Sequence, residues 1–376
     1  MAIQAGLVGL PNVGKSTLFN ALTKAGIPAQ NYPFCTVDPH VAITEVPDER
    51  LNKLAKIFNS QKIVPSTVQF VDIAGLVKGA AQGEGLGNQF LGNIMSVDLI
   101  LHIVRCFQDN NITHVHNKID PLEDLEIINA ELMLKDLESL EKREEKVNNS
   151  LRTAKNRNLS THEIKELEKE KELIEKAKNA LQTANILEIQ KIINEYKENE
   201  IETIPLLSAK NFLIIANLSE DEMNNYDYKN NSNYKTLIEK FGESKVIPIS
   251  AKIEEELAQL DDEDKKLMLQ DLGISKSGLP EIIQKAYINL GMITFFTAGP
   301  KESHAWSIKE NTKIPQAAGT IHSDMQRGFI CAEVYNCNDL FELKTEAALK
   351  NAGKIRTEGR EYIVQDGDVL LIRFNV

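Results

Sequence analysis

The residues with the clearest chemistry lie in a glycine-rich turn near the start of the chain. Gly9–Ser16 reads Gly-Leu-Pro-Asn-Val-Gly-Lys-Ser and matches the pattern G-x-x-x-x-G-K-[ST] in full. An apolar run at 3–9 precedes the turn and residues with helical spacing follow it, which is the context that a phosphate-binding loop requires. Backbone N–H groups and the helix N-terminus would bind phosphate oxygens, the lysine would reach the β- and γ-phosphates, and the serine hydroxyl would bind Mg²⁺. The predicted phosphate-binding residues are Asn12, Val13, Gly14, Lys15, Ser16 and Thr17.

A second group of ligands is predicted further along the chain. Asp72–Gly75 reads Asp-Ile-Ala-Gly and comes at the end of a long apolar run. A carboxylate at a strand end can hold Mg²⁺ through a water molecule, and the Gly75 N–H can contact the γ-phosphate. Thr36 lies in a loop between the two motifs, and a threonine there can complete the Mg²⁺ ligands when a triphosphate is bound, unless it is only a turn residue. The predicted metal ligands are Ser16, Thr36 and, through water, Asp72.

Two segments could read the nucleotide base. Asn117–Asp120 spells N-K-x-D, which reads guanine, but the apolar run at 97–104 ends only about a dozen residues earlier, which leaves no room for a crossover helix. Asn217–Glu220 follows the apolar run at 211–216 and is the better candidate, although it could also be only a loop. Its glutamate replaces the aspartate that pairs with guanine, and the longer side chain cannot make the same bidentate contact. We therefore expect ATP to bind more tightly than GTP. The predicted base-contacting residues are Asn217, Leu218, Glu220, Ser250 and Ala251.

The elements that must position these motifs alternate between apolar runs and helical segments. Near-continuous apolar runs are typical of strands whose two faces are both covered. Their alternation with helical segments predicts an α/β fold with a doubly wound, mostly parallel P-loop NTPase sheet. The runs are 3–9, 66–73, 97–104, 211–216 and 245–250.

Two regions depart from this alternation. The composition at 125–193 turns to Glu, Lys and Leu, and Ser160 with Glu163 fits a capping box that opens a second helix. We expect an inserted helical hairpin, either a solvated arm or a docking arm for a large partner. After Gly291 the sequence predicts a small α+β domain with short strands. The predicted strands are Met292–Thr297, Gly328–Val334, Glu361–Val364 and Val369–Phe374. The predicted domain limits are 1–127 and 203–291 for the nucleotide-binding domain, 128–202 for the helical insertion and 292–376 for the C-terminal domain.

Composition narrows the class of protein. The 376 residues carry a formal net charge of -12, so a uniformly basic surface is excluded and no DNA partner is predicted. The chain shows no signal peptide and no run of about 18 apolar residues, so no membrane partner is predicted. The cysteines are sparse and form no C-x-x-C pair, which suits a reducing compartment. These features predict a cytoplasmic protein.

Taken together, the motifs resemble those of the YchF-type Obg-like ATPases over essentially the whole chain. The resemblance implies a nucleotide-binding domain that is interrupted by a coiled-coil-like arm and followed by a TGS domain, which is a β-grasp module. It also implies ATP as the preferred nucleotide with GTP weaker, slow hydrolysis stimulated by a partner, and association with the ribosome through its large subunit. The segments that carry the resemblance are Gly6–Ser16, Asn31–Thr36, Asp72–Ala80, Gly83–Leu91, Ala298–Gly299, Arg327–Ile330 and Asp366–Asp368.

The resemblance also points to residues that act on the attacking water. Leu76 stands where signalling GTPases have a water-orienting glutamine, and leucine cannot orient water or stabilise charge. The replacement proposed for the family is a histidine in the loop after the 97–104 run, which is His114 here, although an exposed loop histidine is the alternative. Lys15 and His114 are thus the predicted catalytic residues. Asn12 occupies a position associated with K⁺ stimulation in related enzymes, so K⁺ joins Mg²⁺ as an implied cofactor.

The leading hypothesis is a P-loop NTPase that hydrolyses ATP in preference to GTP with Mg²⁺ and regulates translation on the ribosome. One alternative is a GTP-dependent switch of another pathway, with Asn117–Asp120 as the base reader. Another is a P-loop small-molecule kinase, but the sequence shows neither an acceptor pocket nor an Arg-rich lid. The last alternative is a binding module whose nucleotide is structural, and the turnover of a Lys15 variant separates it from an enzyme.

Overall fold

The structure is a computed structural model that describes residues 4–26, 40–73, 86–109, 111–113, 118–154, 160–183, 186–198 and 205–375. Its strands are β1 (Gln4–Val8), β2 (Val41–Glu45), β3 (Lys62–Val64), β4 (Thr67–Asp72), β5 (Leu99–Arg105), β6 (Asn211–Asn217), β7 (Val246–Ile249), β8 (Met292–Ala298), β9 (Glu302–Lys309), β10 (Phe329–Asn336), β11 (Arg356–Glu358) and β12 (Asp368–Phe374). Its helices are α1 (Lys15–Ala25), α2 (Glu49–Phe58), α3 (Leu86–Ser96), α4 (Pro121–Thr153), α5 (Thr161–Gln182), α6 (Ile186–Glu198), α7 (Glu220–Met223), α8 (Ser232–Phe241), α9 (Ala251–Leu257), α10 (Asp262–Asp271), α11 (Leu279–Asn289), α12 (Ile314–Ile321), α13 (Ser323–Arg327), α14 (Cys337–Leu343) and α15 (Glu346–Asn351), and a 3₁₀ segment spans Asn224–Asn230. Within these residues no helix is both long enough and apolar enough to cross a membrane.

The first sheet has the strand order β2-β4-β1-β5-β6-β7. β2 pairs antiparallel with β4, and all other neighbours pair in parallel. Every residue of β5 is buried, which explains why its sequence is a long apolar run that includes only His102 and Arg105 as polar residues. The predicted doubly wound, mostly parallel sheet is confirmed. Because parallel strands end at the same edge, the turns after β1, β4, β6 and β7 lie together there.

Three helices, α4 to α6, form the inserted arm around an apolar cluster of their own. The predicted capping box is confirmed, since the Ser160 side chain accepts from the Glu163 N–H and the Glu163 carboxylate accepts from the Ser160 N–H. The first turns of α4 pack on the sheet through Leu125 and Ile128, so this helix spans the predicted limit between residues 127 and 128. The domain limits stay a prediction.

The second sheet has the order β11-β10-β12-β8-β9-β3. Its last strand comes from the nucleotide-binding region of the chain, because β3 pairs in parallel with β9 in the register Lys62↔Glu302. The prediction of a strand at Glu361–Val364 was wrong. In this segment only Ile363 makes a bridge, to Lys313, because the chain turns at once into the Asp366–Asp368 segment.

A polar contact and an apolar cluster join α2 to the C-terminal domain. Arg50 Nη1 donates to Asp366 Oδ2 at 2.6 Å, and its guanidinium lies 5.3 Å from the centre of the Phe296 ring. Leu51 and Leu54 of the same helix are buried in one cluster with Phe296. The helix is therefore packed into the core of the C-terminal domain, although it precedes that domain in the chain.

A buried histidine in β5 predicts a pH-dependent stability. The His102 side chain is 2% exposed and packs edge-on against Phe212, with ring centres 5.9 Å apart. Because burial disfavours the imidazolium, the pKa of His102 is lowered from its ordinary 6.5 to about 4. The unfolded chain takes up this proton below pH 6.5 while the folded chain does not until about pH 4. The stabilising contribution is therefore complete above pH 6.5 and is lost as the pH falls towards 4.

We expect the wild type to lose about 2–3 kcal/mol of unfolding free energy more than His102→Leu between pH 7.5 and 4.5. Urea unfolding of both proteins at the two pH values measures this difference. His162→Leu is the matched control, since the His162 side chain is 82% exposed, and it should follow the wild type. Equal losses in the wild type and His102→Leu would contradict the prediction.

Candidate nucleotide-binding site

The turn between β1 and α1 has the backbone geometry of a phosphate cradle. Asn12 and Gly14 have positive φ values of 65° and 98°, so the turn is left-handed at both residues. A Cβ atom on Gly14 would lie 2.2 Å from Asn217 Nδ2, so only glycine fits at this position. No side chain caps α1, and its first turn carries no acidic residue. The N–H groups at the start of α1 are thus available to an anion.

Lys15 and Asp72 form an ion pair beside this cradle. Asp72 ends β4 next to Leu7 of β1, and the two charged side chains are only 11% (Lys15) and 19% (Asp72) exposed. Ser16 presents an exposed hydroxyl in the first turn of α1. A hydroxyl and a carboxylate are hard oxygen donors of the kind that Mg²⁺ prefers, so the residues present fit this metal. The structure therefore brings together the predicted P-loop residues and Asp72.

The side chain of Asn217 links three loops of the site. Its Nδ2 donates to the Val13 carbonyl at 2.8 Å, and its Oδ1 accepts from the Ala251 N–H at 2.9 Å. The residue is 4% exposed. Both ends of the amide are thus bonded to protein backbone, which fixes the P-loop relative to the loop after β7. Contact between Asn217 and the base stays a prediction.

The residues predicted to contact the base come from two segments that lie side by side, Asn217–Glu220 and Ser250–Ala251. The Leu218 N–H donates to the Ile249 carbonyl at 2.7 Å, and the Leu218 side chain is buried. Glu220 opens α7, and its carboxylate pairs with Lys252 at 2.7 Å, which raises the pKa of Lys252 through this hydrogen bond. Ser250 is buried and directly precedes α9. Glu220 and Lys252 are therefore two charged side chains at this edge of the sheet, and contact between Glu220 and a base stays a prediction.

The rejected guanine motif begins a helix. Asp120 is the N-cap of α4 and accepts from the Glu123 N–H at 3.2 Å, while Lys118 pairs with the same carboxylate at 2.7 Å. These two side chains are thus used in starting the helix. Three further predicted residues, Thr36, Gly75 and His114, lie outside the described residues, and their roles stay predictions.

Sequence reasoning missed Arg105, which contacts the loop that follows β5. Its three guanidinium nitrogens all donate to carbonyl groups of this loop. The available signal was the residue type, because a cation at the end of a wholly apolar strand needs buried partners. Because the strand was predicted to end at residue 104, Arg105 was placed in the loop.

A glycine-rich cradle after β1, a lysine paired with an acidic residue from the neighbouring strand, and a parallel sheet together define a P-loop nucleoside triphosphatase. Residues 4–135 match a sequence family described as "50S ribosome-binding GTPase", and residues 292–375 match the YchF-GTPase_C family, described as "Protein of unknown function (DUF933)". The chain belongs to the YchF family, which confirms the resemblance in its motifs, and it is a nucleotide hydrolase of that family.

The relatives that support this assignment align along their full length. "Ribosome-binding ATPase YchF" of Bacillus subtilis (strain 168) is 49% identical over 378 residues, covering 100% of both chains. The protein of the same name from Escherichia coli O157:H7 is 44% identical over 376 residues, again covering 100% of both. The solved structure of the Schizosaccharomyces pombe YchF GTPase is 39% identical and has a TM-score of 0.82, covering 99% of this chain and 97% of that one.

Proposed function

We propose that the protein hydrolyses ATP in preference to GTP with Mg²⁺ and regulates translation by associating with the ribosome through its large subunit, in the cytoplasm. The observation that carries the hydrolytic part is the Lys15–Asp72 pair beside the P-loop. The names of the relatives, "Ribosome-binding ATPase", support the nucleotide and the partner. The alternative of a small-molecule kinase has no observation in its favour.

The phosphate tail would lie in the cradle of the P-loop, with its negative charge met by Lys15. Ser16 and Thr36 would hold Mg²⁺ directly and Asp72 would hold it through water, while K⁺ would bind near Asn12. The Mg²⁺ ion supplies positive charge that offsets the charge of the β- and γ-phosphates. Lys15 is already desolvated, so its ammonium group stabilises charge that develops on the phosphate oxygens more strongly than an exposed lysine would.

Base preference is assigned to Glu220 within the Asn217–Glu220 segment. Glu220 is held toward the 250–252 loop by Lys252, and a glutamate here cannot form the pair of contacts that an aspartate makes to guanine. We assign the orientation of the attacking water to His114, since the Leu76 side chain has no group that can orient a water molecule. Gly75 would contact the γ-phosphate through its N–H.

Competition for a labelled nucleotide tests the proposal. We expect unlabelled ATP to displace labelled ATP at concentrations at least about tenfold lower than GTP, a difference of about 1.4 kcal/mol in binding free energy. Hydrolysis of ATP should be slow alone and should rise with purified large ribosomal subunits but not with small subunits. GTP binding tenfold tighter than ATP would overturn the base assignment and favour a GTP-dependent switch. Stimulation by small subunits alone would overturn the choice of partner.

A further inference from the structure

A buried arginine at the end of β5 holds the loop that follows it. Arg105 is 1% exposed. Its Nε donates to the Phe107 carbonyl at 3.1 Å, its Nη1 to the Ile112 carbonyl at 3.0 Å and its Nη2 to the Asp109 carbonyl at 3.1 Å. Each guanidinium nitrogen thus binds a different part of one loop, which we call the 106–113 loop.

The 106–113 loop is also tied to the nucleotide site at both of its ends. The Cys106 N–H donates to the Asn217 carbonyl at 2.8 Å. At the other end, Asn12 Nδ2 of the P-loop donates to the Thr113 carbonyl at 3.1 Å. Between these ends Arg105 holds the carbonyl groups of three described residues, Phe107, Asp109 and Ile112. The loop is therefore a fixed neighbour of the phosphate cradle.

The energetics explain why this position needs an arginine. Burial of a guanidinium costs several kcal/mol unless its donors are satisfied. The charge of Arg105 lies 4.7 Å from the centre of the Phe107 ring and is favoured by the Asp109 carboxylate of the same loop. An apolar residue would end the strand without this cost. A lysine has a single nitrogen and cannot hold three separate carbonyl groups in one geometry. An arginine is thus needed at this position to hold the loop, and not to end the strand.

We propose that Arg105 is a positioning residue for nucleotide hydrolysis, which acts by holding the 106–113 loop against the P-loop. The last residue of this loop, Thr113, directly precedes His114 in the sequence. The inference rests on the proposed function, in which His114 acts on the attacking water. Arg105 is buried and each of its three guanidinium nitrogens already donates to a backbone carbonyl, so its proposed role is to hold the loop and not to bind the nucleotide. Its replacement should therefore change turnover and leave nucleotide affinity nearly unchanged.

Steady-state kinetics and calorimetry on the full-length protein measure turnover and nucleotide affinity separately. Arg105→Lys keeps the charge and loses the three-pronged geometry, and Arg105→Gln removes the charge, so it leaves no unpaired buried cation. We expect kcat for ATP to fall about 10- to 100-fold in both variants. The Kd for ATP should change by less than about twofold, since the contacts to phosphate and base lie elsewhere. Arg373→Lys is the matched control, because Arg373 is an exposed arginine paired with Glu333 at 3.1 Å, and it should behave as the wild type.

A double-variant cycle tests whether Arg105 acts through the loop. His114→Ala alone should lower kcat more than it lowers ATP affinity. When Arg105→Gln is added to His114→Ala, kcat should fall by less than about twofold further, because the group that the loop positions is already gone. Equal factors in the two backgrounds would show that Arg105 acts independently of His114, and this would overturn the proposal. Full activity of His114→Ala would remove His114 from the mechanism and would overturn the proposal, because the loop would then lead to no group that acts on the attacking water.

Amide hydrogen exchange measures how firmly the 106–113 loop is held, independently of ATP turnover. The Asn111 N–H donates to Asp109 Oδ1 at 2.8 Å, and the Ile112 N–H donates to the Asp109 carbonyl at 3.3 Å. Both amides should exchange at least about tenfold faster in Arg105→Gln than in the wild type, while those of β6 should not. If the wild type did not hydrolyse ATP, the proposed function would fail while faster exchange still supported the loop contact. Wild-type kcat in the folded variants, or unchanged exchange, overturns the role of Arg105.

Discussion

Replacement of Lys15 by alanine should lower ATP turnover by at least about 10²- to 10³-fold and weaken ATP binding. The Lys15 side chain is only 11% exposed, and the side chain of its partner, Asp72, is 19% exposed. A cation in such a setting stabilises the charge that develops on a phosphate far more than an exposed cation does. No other lysine is predicted to reach the phosphates, so the loss should be large.

Single-turnover hydrolysis of radiolabelled ATP and calorimetric titration in magnesium buffer measure the two effects. Lys24→Ala is the matched control, since Lys24 is exposed in the last turn of the same helix, and it should leave both quantities unchanged. A second variant, Lys15→Ala with Asp72→Asn, removes the carboxylate left without its cation and separates catalysis from folding. Turnover of Lys15→Ala within twofold of the wild type would make the nucleotide structural, and the chain would then be a binding module.

Asn217→Ala should destabilise the protein by about 2–4 kcal/mol and weaken ATP and GTP by a similar factor. The variant leaves the Val13 carbonyl and the Ala251 N–H without the partners that they have at 2.8 and 2.9 Å. Both lost hydrogen bonds are in a buried setting, where an unpaired polar group costs about 1–3 kcal/mol. Because the amide contacts protein backbone at both ends, the ratio of the two nucleotide affinities should not change.

Urea unfolding and nucleotide competition on the same samples check this result. Asn211→Ala is the control at the opposite end of β6, where the side chain is exposed and donates to the Asn289 carbonyl at 3.2 Å, and it should cost less than about 1 kcal/mol. A fivefold or larger shift of the ATP to GTP ratio in Asn217→Ala would mean that this side chain contacts the base. The role assigned to it from its backbone contacts would then be wrong.

The sequence predicts best those strands that are buried on both faces of the sheet. β1, β5 and β6 are buried along most of their length, so most of their residues are apolar. β3 and β9 were missed for the opposite reason. Ile63 in β3 is 46% exposed, and β9 alternates between buried and partly exposed residues, so neither strand forms an apolar run. Their pairing depends on tertiary contact, which a local pattern does not carry.

The same distinction applies to the site. The P-loop is a local motif, and its residues could be assigned from their order in the chain. The contact between Asn217 and Val13 joins residues 204 positions apart, so no local pattern could predict it. In the arm, the leucine-rich composition does not say which leucines are buried, because Leu140 is fully buried whereas Leu134 is 53% exposed. Helical spacing alone does not decide which side of a helix meets its neighbours.

The pairing of β3 with β9 also bears on how the protein is made. Lys62 meets a residue 240 positions later in the chain, Glu302, so the native partner of this strand is synthesised long after it. At about 5–20 residues per second the delay is roughly 10–50 s. During that time the edge of β3 and the apolar side of α2, with Leu51 and Leu54, have no native cover. The nascent chain therefore exposes this apolar surface to association until its final domain has emerged.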